Sequence, residues 1–171
     1  QRDPATMLAP PALRAVHPLG KSPVITDGAL TLAESGAIID YLVERYGDGR
    51  LVPPPGTPER LRYTYWLHYA EGSAMPPLLL KLAFTRVARA PMPFFARPIA
   101  RRIADGALRS FVDPQIARHL DYLEGELPAG GFLFGALSLA DVALACFFRN
   151  AELARFRVDA ARWPRTAAFV D

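Results

Sequence analysis

His17-Pro18-Leu19-Gly20-Lys21-Ser22-Pro23-Val24-Ile25 and, one hairpin later, Glu34-Ser35-Gly36-Ala37-Ile38 are the stretches on which the fold turns. Between them, Val24-Ile25-Thr26 and Ala29-Leu30-Thr31-Leu32 flank Asp27-Gly28, and β-prone runs on either side of Asp-Gly are a strong hairpin signal. Two antiparallel strands are expected. Ile38, Ile39, Leu42, Val43 and Tyr46 then recur at helical spacing, with Gly47 where a left-handed cap belongs, so a helix should pack on the hairpin.

Beyond this unit the chain changes character. Val52-Pro53-Pro54-Pro55-Gly56-Thr57-Pro58 reads as a linker, and Thr57-Pro58 pairs an N-cap with proline at the first helical position. No strand pattern returns. Helices are expected near 58–74, 77–89, 97–126 and 139–154 and from 164 onward, with breaks or kinks at Pro76-Pro77, Pro91-Met92-Pro93 and Pro114. In Leu137-Ser138-Leu139-Ala140-Asp141-Val142, Ser138 is placed to cap the amide of Asp141, and the Asp141 carboxylate to reach back to the amide of Ser138. Leu137 is placed to staple onto Val142, so a buried helix should start there. The domains are therefore 1–47, a linker at 48–57 and an all-helical 58–171.

Composition narrows the function. Of 171 residues, 51% are apolar and 22% charged, which excludes disorder, collagen and coiled coil. One cysteine excludes an internal disulfide, and no Cys/His cluster has zinc-ligand spacing, so no metal is expected and a reducing cytoplasm fits. The net charge of +3 rests mostly on arginine and does not imply nucleic acid. No stretch is long and apolar enough to span a bilayer, so neither nucleic acid nor membrane is an expected partner.

The chemistry concentrates at the ends of the hairpin. Glu34 and Ser35 fall at a helix start, where free amides and the positive dipole end favour an anionic group and the Ser hydroxyl adds a donor. A carboxylate suits that place, and Glu34 suits an ammonium beside it, so the pair fits an α-amino acid head group better than a phosphate. A cis Ser22-Pro23 bond would hold the Ser22 amide and carbonyl clear of the sheet to pair with an extended peptide.

These motifs resemble those of the cytosolic glutathione transferases, and the resemblance covers nearly the whole chain. Gly20-Lys21-Ser22-Pro23 is similar to the strand-start motif with its cis-proline, Glu34-Ser35-Gly36-Ala37-Ile38 to the γ-glutamyl-binding turn, and Ser138-Leu139-Ala140-Asp141 to the capping motif of the helical domain. His17 to Pro23 is closest to bacterial and fungal members. The resemblance implies an α/β plus all-α fold, a truncated thioredoxin-like N-terminal domain followed by an all-helical glutathione-transferase domain. It also implies a homodimer and glutathione as cosubstrate. Ser22, with Pro23 behind it, would bind the cysteinyl backbone, Glu34 and Ser35 the γ-glutamyl end, and Lys21 would lie near the peptide carboxylates. The family's opening βαβ unit is not recognisable: Gln1 to Val16 reads as its tail and the following loop, and the catalytic thiol-activating Tyr, Ser or Cys is unknown. Without it the chain is expected to be inactive alone.

Tyr63, Trp66 and Tyr69, with Met75 beyond them, are candidates for an acceptor pocket facing the first domain, against core or dimer packing as the alternative. Cys146, in an apolar run, reads as buried and inert, and His17, His68 and His119 lack triad or ligand partners. Arg97, Arg101, Arg102 and Arg109 read as a solvated helix face, with an anion-binding patch as the alternative. The expected function is conjugation of glutathione to small hydrophobic electrophiles in detoxification, or its use to reduce peroxides and disulfides. A non-catalytic scaffold of the same fold is the alternative.

Overall fold

The computed structural model describes residues 11–128, 131–153 and 157–170. The chain forms two compact units, Gln1–Leu51 and Val52–Asp171.

In the first unit, helix α1 (Pro11–Val16) precedes strands β1 (Val24–Asp27) and β2 (Leu30–Ala33), and helix α2 (Ser35–Tyr46) follows. The expected tail and loop up to Val16 is thus helical from Pro11, and residues 1–10 lie outside the described residues. The strands pair antiparallel, Val24 with Ala33 through Asp27 with Leu30, so the two-residue turn is Gly28-Ala29, one step later than the Asp-Gly signal suggests. Gly28 supplies the positive φ that such a turn needs, while Asp27 stays in the strand and keeps its carboxylate for another use. Gly47 corrects another expectation. Its φ is −81°, not left-handed, and glycine is required because a Cβ there would come within 2.4 Å of the Val43 carbonyl.

The second unit is all helix: α3 (Pro58–Tyr69), α4 (Met75–Val87), α5 (Arg97–Ala107), α6 (Asp113–Glu126), α7 (Leu139–Leu153) and α8 (Pro164–Val170). Thr57 caps α3 by accepting from the Arg60 amide at 3.2 Å, with Pro58 at the first position. The core gathers Tyr63, Trp66 and Leu67 of α3, Leu78 of α4, Ile116, Leu120 and Leu123 of α6, and Leu144, Phe147 and Phe148 of α7.

Of the three proline sites where a break or kink was expected, two carry a π turn and one a break. A π turn over Ala70–Ala74 joins α3 to α4, and another over Leu108–Val112 joins α5 to α6. Each sits just ahead of its prolines, Pro76-Pro77 and Pro114. A proline ring collides with the carbonyl four residues back and brings no N–H to it, and the wider π turn relieves that conflict while the chain stays helical. Only at Pro91-Met92-Pro93, between α4 and α5, does the helix end.

Two carboxylates of α6 fasten the end of the unit. Asp121 accepts from the Trp163 indole at 2.7 Å, and Glu124 accepts from the Arg165 and Thr166 amides and the Thr166 hydroxyl, capping α8 from a neighbouring helix. Burial pushes the Glu124 carboxyl up, but these three hydrogen bonds outweigh it and hold it below its ordinary value. The docking of α8 is therefore at full strength above the pKa of an unfolded glutamate and is lost as pH falls through the depressed folded value. Trp163 fluorescence, followed from neutral pH to about 2, should show this loss, and Glu124→Gln should flatten the acid limb. An unchanged acid limb in the variant would assign the transition to other groups.

Candidate functional site

The register of the hairpin builds the site. Because Val24 pairs with Ala33, the residues one step outside that pair, Pro23 and Glu34, flank the same end of the sheet although eleven positions separate them. Lys21, Ser22 and Pro23 are exposed on the strand-start side, and the Ser22–Pro23 bond is cis. On the other side α2 begins. Its first intrahelical bond runs from the Ile38 amide to the Glu34 carbonyl, so the amides of Ser35, Gly36 and Ala37 precede the helical ladder and point out of its positive end. The structure thus brings Lys21, Ser22 and Pro23 to the same hairpin end as Glu34 and Ser35.

Glu34 pays for its position in backbone strain: its φ of 75° with ψ of 121° is a region that side-chain-bearing residues avoid, at about 1–3 kcal/mol. Its side chain caps nothing and is exposed, so the helix gains no cap in return. Glycine would release the strain at an unfolded-state entropy cost of about 0.5–1 kcal/mol. Glu34→Gly should therefore melt at the wild-type temperature or above it while binding an amino-acid head group more weakly. A melting point several degrees lower would show that the conformation is not strained.

A brace beneath α2 went unseen in the sequence. Asp27, left in β1 by the shifted turn, accepts hydrogen bonds from the hydroxyls of Tyr41, at 2.6 Å, and Tyr46. The two phenols lower the Asp27 carboxyl pKa, and the carboxylate pushes the Tyr41 hydroxyl up to about 12. One carboxylate thereby ties the hairpin to the helix that presents Ser35.

In the helical unit the acceptor candidates occupy different depths. Tyr63, Trp66 and Tyr69 are buried, and Met75 packs partly buried against the same core. Trp66 stacks on Tyr122, and the Tyr69 hydroxyl meets His119 Nδ1 at 2.7 Å. Burial keeps this imidazole below its ordinary pKa, hence neutral near pH 7, and pushes the Tyr69 hydroxyl well up. Nothing in the sequence joins residues fifty positions apart.

Cys146 corrects the sequence reading, since it is exposed. It lies on the outer side of α7 and lines a groove of about 610 Å³ with Phe132, Leu137, Val142, Phe169 and Val170. Leu137 and Val142, expected to staple together over a buried helix start, are both exposed. The start of α7 is held by Asp141, which accepts from the Ser138 amide at 2.9 Å as the spacing foretold. It also accepts from the Ser138 hydroxyl at 2.6 Å, and from the Leu133 amide at 2.9 Å, a loop contact with no sequence signal.

Comparison with known proteins bears on these features. Residues 4–55 match the family model described as glutathione S-transferase, N-terminal domain, and residues 96–171 the one described as glutathione S-transferase, C-terminal domain. A glutathione S-transferase from Xanthobacter autotrophicus is 31% identical with a TM-score of 0.66, the match covering 92% of this chain and 70% of that one. The chain belongs to the glutathione S-transferase family. Within the family it is 32% identical to glutathione S-transferase 1 of Saccharomyces cerevisiae and 31% identical to glutathione S-transferase 3 of Schizosaccharomyces pombe, over 82% and 81% of its length. It spans 64% and 57% of those two relatives. A glutathione S-transferase from Actinobacillus pleuropneumoniae superposes over 99% of this chain with a TM-score of 0.72 at 29% identity. A glutathione transferase from Phanerochaete chrysosporium, 28% identical, was solved in complex with oxidized glutathione. The fold is that of the family, a thioredoxin-like N-terminal domain with a small sheet and an all-helical C-terminal domain. Among the described residues no cluster of metal-binding side chains occurs, and no helix is long and apolar enough to cross a membrane.

Proposed function

We propose that this chain binds glutathione at the hairpin end and serves a cytoplasmic transferase that conjugates it to small hydrophobic electrophiles or uses it to reduce peroxides and disulfides. The observation that carries this reading is the placement of Glu34 and Ser35, beside the amides that open α2, next to the Ser22-Pro23 strand start. The γ-glutamyl carboxylate fits the amides and the Ser35 hydroxyl, its ammonium fits the Glu34 carboxylate, and Lys21 is free in solvent to meet the glycyl carboxylate. Ser22 and Pro23 are assigned to the cysteinyl backbone, which fixes where the sulfur stands. Chemistry then needs the thiolate, which attacks the electrophilic carbon as the leaving group departs; holding both reactants supplies proximity. No residue is assigned the role of stabilising that thiolate.

Tyr69 and Met75 are proposed for the acceptor side, with Tyr63 and Trp66 supporting them from the core. A homodimer is proposed through α3 and α4, where Leu61, Tyr65 and Leu79 stand exposed.

Calorimetric titration with glutathione, γ-glutamylcysteine and cysteinylglycine tests the site. The first two should bind and cysteinylglycine, lacking the head group, should bind at least about tenfold more weakly, since its loss leaves several charge-assisted hydrogen bonds unmade. Equal binding of all three would overturn the assignment. Turnover of a chromogenic electrophile tests the transferase step separately.

A further inference from the structure

We propose that Asp27 is a positioning residue for the γ-glutamyl end of the ligand: through Tyr41 and Tyr46 it fixes the tilt of α2, and with it the distance of Glu34 and Ser35 from Ser22. The inference rests on the glutathione reading above and adds to it what keeps the two halves of that site in step.

The helix α2 is thinly attached for one that must present a ligand group accurately. Of its twelve residues only Ile38 is buried, while Leu42 and Tyr46 are exposed at 42% and 54%. A helix resting on one buried side chain is free to rock about it unless something else holds it. Ser35 lies three residues before Ile38, about 4.5 Å along the axis, and Tyr41 and Tyr46 lie about 4.5 and 12 Å beyond it. Ile38 is thus the fulcrum, Ser35 the short arm and the tyrosines the long one. Rocking by about 10° would move Ser35 by about 0.8 Å, whereas groups that contact a ligand must be held to within about 0.5 Å.

The brace stops this motion. Both phenols converge on the same carboxylate oxygen of Asp27, Tyr41 at 2.6 Å and Tyr46 from the last turn of α2, and their rings meet edge-on with centroids 6.4 Å apart. Arg45 adds an attraction to the same carboxylate. Asp27 pairs with Leu30 at the turn end of the hairpin, opposite the Val24–Ala33 pair that borders the site. The tether is therefore as far from Ser22 as the hairpin allows, where a given slack permits the least rocking. Its groups lie at the surface, Tyr46 exposed and Asp27 and Tyr41 half-buried, so water competes for the same hydrogen bonds and their yield in stability is small. What they supply is direction.

The test compares glutathione with cysteinylglycine, which lacks the γ-glutamyl group and so does not depend on where α2 lies. Calorimetry is done on the wild-type chain, on Asp27→Ala, and on Tyr41→Phe with Tyr46→Phe, which keeps both rings. The wild type should prefer glutathione by roughly tenfold or more. In either variant the preference should shrink to about threefold or less, with glutathione weakened and cysteinylglycine unchanged. Asp27→Asn, which retains an acceptor oxygen, should restore much of it. Adding Asp27→Ala to the tyrosine pair should weaken glutathione no further, because the three residues act as one unit. Should Asp27→Ala lose its far-ultraviolet circular dichroism, the tyrosine pair and Asp27→Asn carry the comparison. A purely structural brace would weaken both ligands alike or neither, and either result overturns the proposal, as does an additive loss in the triple variant. A wild-type chain without preference for glutathione overturns the head-group reading itself, a failure seen before any variant is made.

Discussion

Replacing Asp141 by alanine is expected to lower the melting temperature of the helical unit by about 6–12 °C, because the carboxylate is the shared acceptor of a buried corner. It takes the Ser138 amide and hydroxyl on one oxygen and the Leu133 amide on the other, and both Asp141 and Ser138 are buried. Alanine leaves all three donors without that partner. Each unsatisfied buried donor costs about 1–3 kcal/mol, so even with partial rescue by water the total is about 3 kcal/mol or more. At this chain length each kcal/mol is about 2–4 °C. Asp141→Asn, which keeps one acceptor oxygen, should fall between. Thermal melts by far-ultraviolet circular dichroism decide the matter, and a drop of less than about 2 °C for the alanine variant would show that the loop and helix start hold without the carboxylate.

Ser35→Ala should weaken glutathione binding about tenfold to a hundredfold while leaving the melting temperature in place. The hydroxyl caps nothing and has no hydrogen-bond partner among the described residues, so the fold does not depend on it. Toward a ligand carboxylate it supplies a hydrogen bond to a charged group, about 1.5–3 kcal/mol, which is the stated range in affinity. Calorimetry on the folded variant measures it. Unchanged affinity would remove Ser35 from the site, and a lost fold would mean that the hydroxyl serves α2 instead.

The hairpin, α2 and the position of Glu34 and Ser35 at its start were legible because everything they need is local. Gly28 makes a turn, Ile38 to Tyr46 keep one period, and eleven residues separate the two sides of the site. Even there the turn moved by one residue, and that shift decides whether Asp27 ends a strand and braces Tyr41 and Tyr46 or sits in the loop. What stayed hidden depends on tertiary placement. Glu124 caps a helix more than forty residues away, and Tyr69 finds His119 across the bundle. Ala143 to Phe148 is apolar throughout, so it has no polar side to orient the helix, and Cys146 was put inside when it faces out.

The two π turns also govern helical phase. Ala70 and Leu78 are both buried and lie eight residues apart, as do Ala104 and Val112. Eight residues of uninterrupted α-helix turn a side chain about 80° away from where it began, whereas seven bring it back within about 20°. Each π turn absorbs one residue, so the buried stripe of Tyr63, Trp66 and Ala70 runs on in step to Leu78, and that of Ala104 and Val112 through Ile116, Leu120 and Leu123. The two segments are thus places where the chain can lose a residue and keep its inward face, because an ordinary α-turn takes over the same phase. One turn further on, the same deletion would swing Leu78, or Ile116 and Leu120, toward solvent. Length variation in this bundle has two preferred positions, each marked by prolines a few residues downstream.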